Sequence, residues 1–539
     1  MESSLRFILA ILSIVVLLSN FYAQAQDDLP KKKLSLRRDL FVGSEFASGQ
    51  GQISFDINST SEFLNTSKFN RTSFPSDFIF GAGSSALQIE GAAHEGGRGL
   101  GIWDNRVEQN KARFIDGDKF STAIEHYKRY KEDVLHLKTL GVNSYRFSIS
   151  WSRVLPDGTL KGGINQEGII FYSNLIDELL ANGIEPFVTI LHFDYPLALQ
   201  EKFGGFLNRS IVNYYKDYCE LLFKTYGDRV KHWTTINEAE VTAIFTYMHS
   251  FDNTAAEQCQ ETRLCTQAYT VLHNFLICHA TAAKLYRGKF QVEQRGQIGL
   301  VLSSQIYVSF SSKPEDVAAT QRLMDFYLGW ILEPLFFGDY PEIMRKLVGN
   351  RLPNFTEEEK KMIKGSTDFI GINYYNSHFA RHESNRTNVN GADNFDALAV
   401  SEETNSEGKV LGHKDLYGLS YVYPKGLYDL LMYLKKKYQN PNIYITENGI
   451  ASFKIPNPLK DQHRIIYIAA HLRAIKAAID NGSNVRGYFI WAAFDTFEFQ
   501  AGYSGHWGLY HVDFNDNLKR IPKDSAEWYR KFLIPECGQ

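Results

Sequence analysis

From about Phe74 onward, short runs rich in β-branched and aromatic residues alternate with longer stretches whose apolar positions recur every three or four residues. The short runs fall at 78–85, 144–149, 186–193, 232–238, 297–304, 368–375, 442–449 and 485–495, and each has the length and composition of a buried strand. Between them the pattern is helical: Tyr172, Ile176, Leu179 and Leu180 form one apolar stripe, and Asn182-Gly183 follows where a left-handed C-cap belongs. The blocks "AIEHYKRYKEDVLHLKTLG" and "IVNYYKDYCELLFKTYGD" repeat the pattern ahead of the second and fourth strands. Eight strands buried on both faces and separated by helices imply a parallel sheet covered by helices, and eight is the number that closes it. The expected fold is α/β, a single (β/α)8 TIM barrel over residues 74–535. An open doubly wound sheet is the alternative, but no glycine-rich phosphate turn follows any strand.

The ends of the chain read differently. Arg6, an apolar run from Phe7 to Leu18 and the small-residue pattern Ala23-Gln24-Ala25 have the layout of a secretory signal peptide over 1–25. A membrane anchor is the competing reading, although the run is short for a span. Residues 26–73, polar and rich in Ser, Asn and Thr, are expected to form a flexible leader. Seven Asn-X-Ser/Thr triplets fit the same route: Asn58, Asn65, Asn70, Asn208, Asn354, Asn385 and Asn481. Cys259 and Cys265 bracket a short polar segment, as a disulfide does in an oxidising compartment. No retention tetrapeptide ends the chain, so secretion to the apoplast and delivery to the vacuole are both open. A formal net charge of −3 supplies no general attraction to nucleic acid or an anionic membrane, which directs attention to a small-molecule partner. Cys and His have no zinc-ligand spacing, and no metal or cofactor is expected; a homo-oligomer is left open.

A TIM barrel places its chemistry at the C-terminal ends of its strands. Those positions hold Gln88 and Glu90, Arg146 and Trp151, His192 and Asp194, Asn237 and Glu238, Asn373 and Tyr375, Glu447 and Asn448, and Trp491 with Glu498, while the fifth strand ends blandly. Glu238 and Glu447 are the pair that glycoside hydrolysis requires, one carboxyl to protonate the leaving oxygen and one to attack the anomeric carbon or activate water. Arg146 and Tyr375 are placed to hold one of them ionised by charge and hydrogen bonding; an apolar setting near its charged twin would keep the other protonated.

At these motifs the chain resembles glycoside hydrolase family one, and in particular its plant β-glucosidases. "TINEAE" resembles the acid/base signature and "YITENG" the nucleophile signature, with "QIEGA", "SYRFSISWSR", "LHFD", "GINYY" and "RGYFIWAAFDTFEF" in matching order from about Phe74 to Leu533. The resemblance implies a retaining β-glucosidase that works through a covalent glucosyl-enzyme, with Glu238 as acid/base and Glu447 as nucleophile. It implies a glucose subsite of Gln88, His192, Asn237, Tyr375, Trp491 and Glu498, with Phe499 beside it, and support of the nucleophile by Arg146 and Tyr375.

Three departures from the family pattern bear on substrate choice. Ala239 stands where proline usually follows the acid/base, the segment to Cys265 lacks the usual glycine and proline, and Phe499 replaces a usual Trp, as in the thioglucosidases called myrosinases. Thioglucosidases that keep an acid/base Glu carry basic residues six and seven positions beyond it to hold sulfate; here these are Ile244 and Phe245. The expectation is an O-glucosidase. A thioglucosidase, an acyl-glucose-dependent glucosyltransferase and a non-catalytic sugar-binding barrel are the alternatives.

Overall fold

The computed structural model describes residues 65–534 apart from 111–113, 115, 250–258, 260–261, 390–392, 415–420 and 454. Eight parallel strands close a barrel: β1 (Ile79–Gly83), β2 (Ser144–Ser148), β3 (Glu185–Leu191), β4 (His232–Asn237), β5 (Gln297–Ser304), β6 (Phe369–Tyr374), β7 (Ile443–Asn448) and β8 (Val485–Ile490). Each pairs with its sequence neighbour, and Ile79 to Ala82 of β1 align with Gly487 to Ile490 of β8 to complete the ring. All eight predicted runs are barrel strands. The last is shorter than expected, because residues 491–495 leave the sheet.

The strands are buried on both faces, which is why they read as continuous apolar runs. Phe187, Phe369, Tyr444 and Phe489, one from each of β3, β6, β7 and β8, pack as a layer inside the barrel. His232 stacks on Phe187 with centroids 5.0 Å apart. Phe187, Phe369 and Tyr444 lie in the first halves of their strands, so the layer floors the barrel and leaves the C-terminal mouth for polar groups.

Helices cover the outside, among them His126–Leu140, Gln166–Ala181, Ile211–Tyr226, Gln267–Lys289, Pro424–Lys437, Gln462–Asp480 and Asp524–Leu533. Helix Gln166–Ala181 ends as its sequence predicts: Gly183 takes φ +73°, and the amide of Ile184 returns to the carbonyl of Leu179 at 2.9 Å. Its buried stripe is Phe171, Tyr172, Leu175, Ile176 and Leu179; Leu180, which the periodicity placed in the stripe, is 39% exposed.

The folded unit also starts earlier than the sequence suggests. Phe69 packs on Phe74 and Phe532, and a short turn at Arg71–Ser73 precedes β1, so the last residues assigned to the leader belong to the barrel. Residues 1–64, with the expected signal segment and Asn58, lie outside the described residues. Small sheets absent from the periodicity, such as Tyr307–Ser309 with His378–His382 and Ala399–Glu402, occupy the connections after β5 and β6.

Candidate active site

β4 ends at Asn237, and Glu238 turns the chain out of the barrel with φ +47°, a left-handed conformation uncommon for a residue with a Cβ. Its amide still bonds Val301 of β5, at 2.9 Å, so the turn is fixed at its root. Glu447 lies within β7, where the pairing with β6 slips between Ile445 and Glu447 and brings Glu447 opposite Asn373.

The two carboxyls are held differently. The Arg146 guanidinium donates from Nη1 to Glu447 Oε1 at 2.6 Å, and the Tyr375 hydroxyl donates to Oε2 at 2.7 Å. Glu238 Oε1 accepts one amide hydrogen, from Asn373 Nδ2 at 2.7 Å. Both groups are buried, at 5% and 4% exposure, so loss of water pushes both pKa values up. For Glu238, burial and the nearby Glu447 charge carry it up to about 8, against small opposing effects of Asn373 and Arg146. For Glu447, burial is opposed by Arg146 and Tyr375; the rise persists, so the expectation of a carboxyl drawn below its ordinary value is corrected. The order survives in the contacts: Glu447 has the cation and Glu238 has the charged neighbour.

Asn237 is oriented by the same network. Its Oδ1 accepts from Arg146 Nη2 at 2.6 Å and from Asn373 Nδ2 at 3.2 Å, which turns Nδ2 the other way, 3.4 Å from His192 Nε2. Burial, with Arg146 nearby, lowers the His192 pKa well below the ordinary value, so the ring is neutral. It stacks on Trp491 with centroids 5.7 Å apart and planes 10° apart. Gln88 donates from Nε2 to the carbonyl of Phe497 at 2.7 Å and accepts from the Ser85 hydroxyl at 2.6 Å, which fixes its amide beside the segment carrying Glu498. Burial raises the Glu498 pKa well above the ordinary value, and Thr496 reaches its Oε1 at 3.3 Å. Phe499 packs on Trp103 and Phe193, with centroids at 4.9 and 5.6 Å.

Every predicted catalytic and subsite residue therefore lies at the mouth of one barrel. Asn373, singled out only as a strand end, is the missed member: it bonds Glu238 and Asn237 and accepts from Thr446 at 2.7 Å. Three other strand-end residues, Glu90, Trp151 and Asn448, turn out to support the framework. Glu90 is paired with Arg153 at 2.7 Å and accepts from Tyr172 at 2.6 Å, and Trp151 is buried flat against Tyr218. Asn448 ties the carbonyl of Tyr374 to the Tyr467 hydroxyl, and Asp194 is buried. Asp495, between Trp491 and Glu498, accepts from Lys523 at 2.7 Å and lies 3.1 and 3.0 Å from Nδ1 of His506 and His511, which anchors the loop bearing Glu498.

Cys259 and Cys265 form the expected disulfide, with Cα atoms 4.8 Å apart. Of the glycosylation triplets, Asn65, Asn208, Asn354 and Asn385 are exposed and Asn481 is partly so. Asn70 departs from expectation: it is 8% exposed, Oδ1 caps the turn at Arg71–Ser73, and Nδ2 donates to the carbonyl of Thr66 at 3.0 Å. The nitrogen that would carry a glycan is used within the fold.

A profile described as Glycosyl hydrolase family 1 matches residues 70–536, and the chain belongs to that family. It is a glycoside hydrolase and a retaining β-glucosidase, which sets aside the non-catalytic alternative. A furostanol glycoside 26-O-β-glucosidase of Hellenia speciosa is 47% identical over 86% of this chain and 83% of its own length. A rice β-glucosidase mutant, solved in a covalent complex with glucose, is 40% identical, covers 86% of this chain and 99% of its own, and superposes with a TM-score of 0.81. An aphid myrosinase structure is 34% identical over 86% of this chain and 99% of its own, with a TM-score of 0.79. Among the described residues no helix is long and apolar enough to cross a membrane.

Proposed function

We propose that this enzyme cleaves O-β-D-glucosides of small, uncharged aglycones, with Glu447 as nucleophile and Glu238 as acid/base. The observation that carries the assignment is the unequal setting of the two carboxyls: Arg146 and Tyr375 clasp both oxygens of Glu447, whereas Glu238 has one amide partner and a pKa pushed up to about 8. In the first step Glu447 attacks the anomeric carbon while the Glu238 proton passes to the leaving oxygen. In the second, ionised Glu238 takes a proton from water, whose oxygen displaces Glu447 and frees glucose with its β-configuration retained.

The sugar would sit over Trp491, with the Asn237 amide presented to the hydroxyl beside the anomeric carbon and Glu498 and Gln88 taking hydroxyls further round the ring. Ile244 and Phe245, both buried and apolar, stand at the positions where sulfate-holding members need cations, so the site offers no charge there and favours an uncharged aglycone. The disulfide and the exposed glycosylation triplets support entry into the secretory route, ending in the apoplast or the vacuole. A substrate panel tests the reading: aryl O-glucosides, a glucosinolate, and an acyl-glucose with an alcohol acceptor, each with products identified. Free β-glucose from the O-glucosides is expected. Turnover of the glucosinolate alone, or glucose found only on the acceptor, would overturn it.

A further inference from the structure

Glu240 lies two residues beyond Glu238, fully buried in the short helix Ala239–Val241 that the chain enters after leaving the barrel. Its Oε1 accepts the backbone N–H of Ser303 at 2.5 Å, and its Oε2 is buried with no hydrogen-bond partner. The bond to Ser303 has a reason in the sheet. Alternate residues of a parallel strand turn their N–H and C=O to the same neighbour. Val301 of β5 turns toward β4, because its carbonyl receives the amide of Glu238. Ser303 therefore turns the same way, but β4 has ended at Asn237 and offers no backbone to meet it. The Glu240 carboxyl fills the vacated rung.

Around it the charge is one-sided. Among the described residues no Lys, Arg or His pairs with Glu240; the titratable groups that face it are Glu238 and Tyr327, whose hydroxyl lies 3.3 Å from Ser303 Oγ. Burial and the Glu238 charge raise its pKa well above the ordinary value, so it is a neutral acid. A neutral acceptor in that rung ties the first turn after Glu238 to β5 without adding a further negative charge beside the catalytic pair.

We infer that Glu240 is a positioning residue for Glu238: by extending the β5 ladder with its side chain it holds the left-handed turn that aims the acid/base at the leaving oxygen. The inference rests on Glu238 being the proton donor, and leaving-group dependence separates the two claims. Glucosylation of a dinitrophenyl β-glucoside needs little protonation, whereas an alkyl β-glucoside needs a well-aimed acid, whose contribution is typically 10² to 10⁴-fold.

The experiment compares kcat/KM for these two substrates in wild type, Glu240→Ala, Glu240→Met and Glu240→Gln, with Glu238→Ala as reference. Ala and Met variants are expected to lose about ten-fold or more on the alkyl glucoside and stay within about two-fold on the dinitrophenyl glucoside, since misaiming removes part of the acid's contribution. Gln, which keeps a neutral acceptor of the same shape, is expected to restore both values. Equal loss on the two substrates, or a Gln variant as impaired as Met, would overturn the inference. If Glu238→Ala itself showed no preference between the substrates, the assignment of Glu238 would fall instead. The Met variant preserves side-chain volume, so a folding failure confined to Ala leaves the comparison decisive.

Discussion

Arg146 joins Glu447 and Asn237 through the two arms of one guanidinium, 2.6 Å to each, so the nucleophile and a candidate sugar contact are set by a single rigid group. The fork geometry makes this possible, and a lysine ammonium is a point charge on a flexible stem. Arg146→Lys is expected to keep the charge yet lose the joint placement. We expect kcat on aryl glucosides to fall by about 100-fold or more, the scale seen when a preorganised charge-stabilising donor is removed. Steady-state kinetics with circular dichroism to verify folding checks this; a fall under ten-fold would show that charge alone suffices.

Assignment of the two carboxyls is tested by rescue. Glu238→Ala leaves Glu447 able to attack an activated aryl glucoside, and the cavity admits azide, which needs no base. Partial recovery with a β-glucosyl azide product is expected, because two inversions retain configuration. Glu447→Gly should show no such β-product; azide there enters directly from the opposite face and gives the α-azide. NMR of the products reads the outcome, and α-azide from the Glu238 variant would reverse the assignment.

Exposure divides the glycosylation triplets. Asn208, Asn354 and Asn385 present their amides at the surface, whereas Asn70 is 8% exposed with Nδ2 committed to Thr66. Protein expressed through a eukaryotic secretory route is expected to carry glycans at the exposed sites and none at Asn70. Peptide mapping after enzymatic deglycosylation in heavy-oxygen water distinguishes occupied from empty sites. Because Oδ1 of Asn70 also caps the turn before β1, Asn70→Ala should cost about 1 kcal/mol of stability, as loss of an N-cap does.

Much of this site was legible along the chain, and the reason is physical. Strands buried on both faces leave an unbroken apolar run, and a barrel rim converts each strand end into a position for chemistry, so Glu238 and Glu447 could be paired from opposite halves of the sequence. Asn373 was not legible as a hub, because its three bonds, to Glu238, Asn237 and Thr446, reach strands that are brought beside it only when the barrel closes. Glu240 reads in sequence as one more solvated acid; its burial follows from β4 ending at Asn237, opposite Val301, while β5 runs on to Ser304. Leu180 and Asn70 went the other way: local pattern put one inside and one outside, and packing of neighbouring elements reversed both.

Asn373 donates to Glu238 Oε1, a bond that favours the ionised carboxylate. Asn373→Ala removes it, so the Glu238 pKa should move further up and the alkaline limb of kcat/KM should shift to higher pH. The variant should also lose about ten-fold or more in rate, since Asn237 and Glu238 lose a shared anchor and misplacement near the reacting atoms is costly. A pH–rate profile with an alkaline limb shifted downward would contradict the role given to this bond.

Glu238, raised to about 8 in the folded enzyme, links activity and stability to pH in the same direction. It must be protonated to act as acid, so kcat/KM should hold through neutrality and fall as pH rises through about 8. The stability sign follows from linkage. The unfolded chain releases this proton near the ordinary carboxyl value, the folded protein only near 8, so the folded state binds the extra proton between them. The group's stabilising contribution is complete below the ordinary value and is lost progressively as pH rises to about 8. Replacing it with a neutral isostere removes the buried charge that this proton holds off. Glu238→Gln is therefore expected to abolish turnover of alkyl glucosides while raising the thermal midpoint, by more at pH 9 than at pH 5, where about the same neutral group is present in both proteins. Differential scanning calorimetry at the two pH values reads the difference, and a midpoint increase that is larger at the acidic pH would refute the raised pKa.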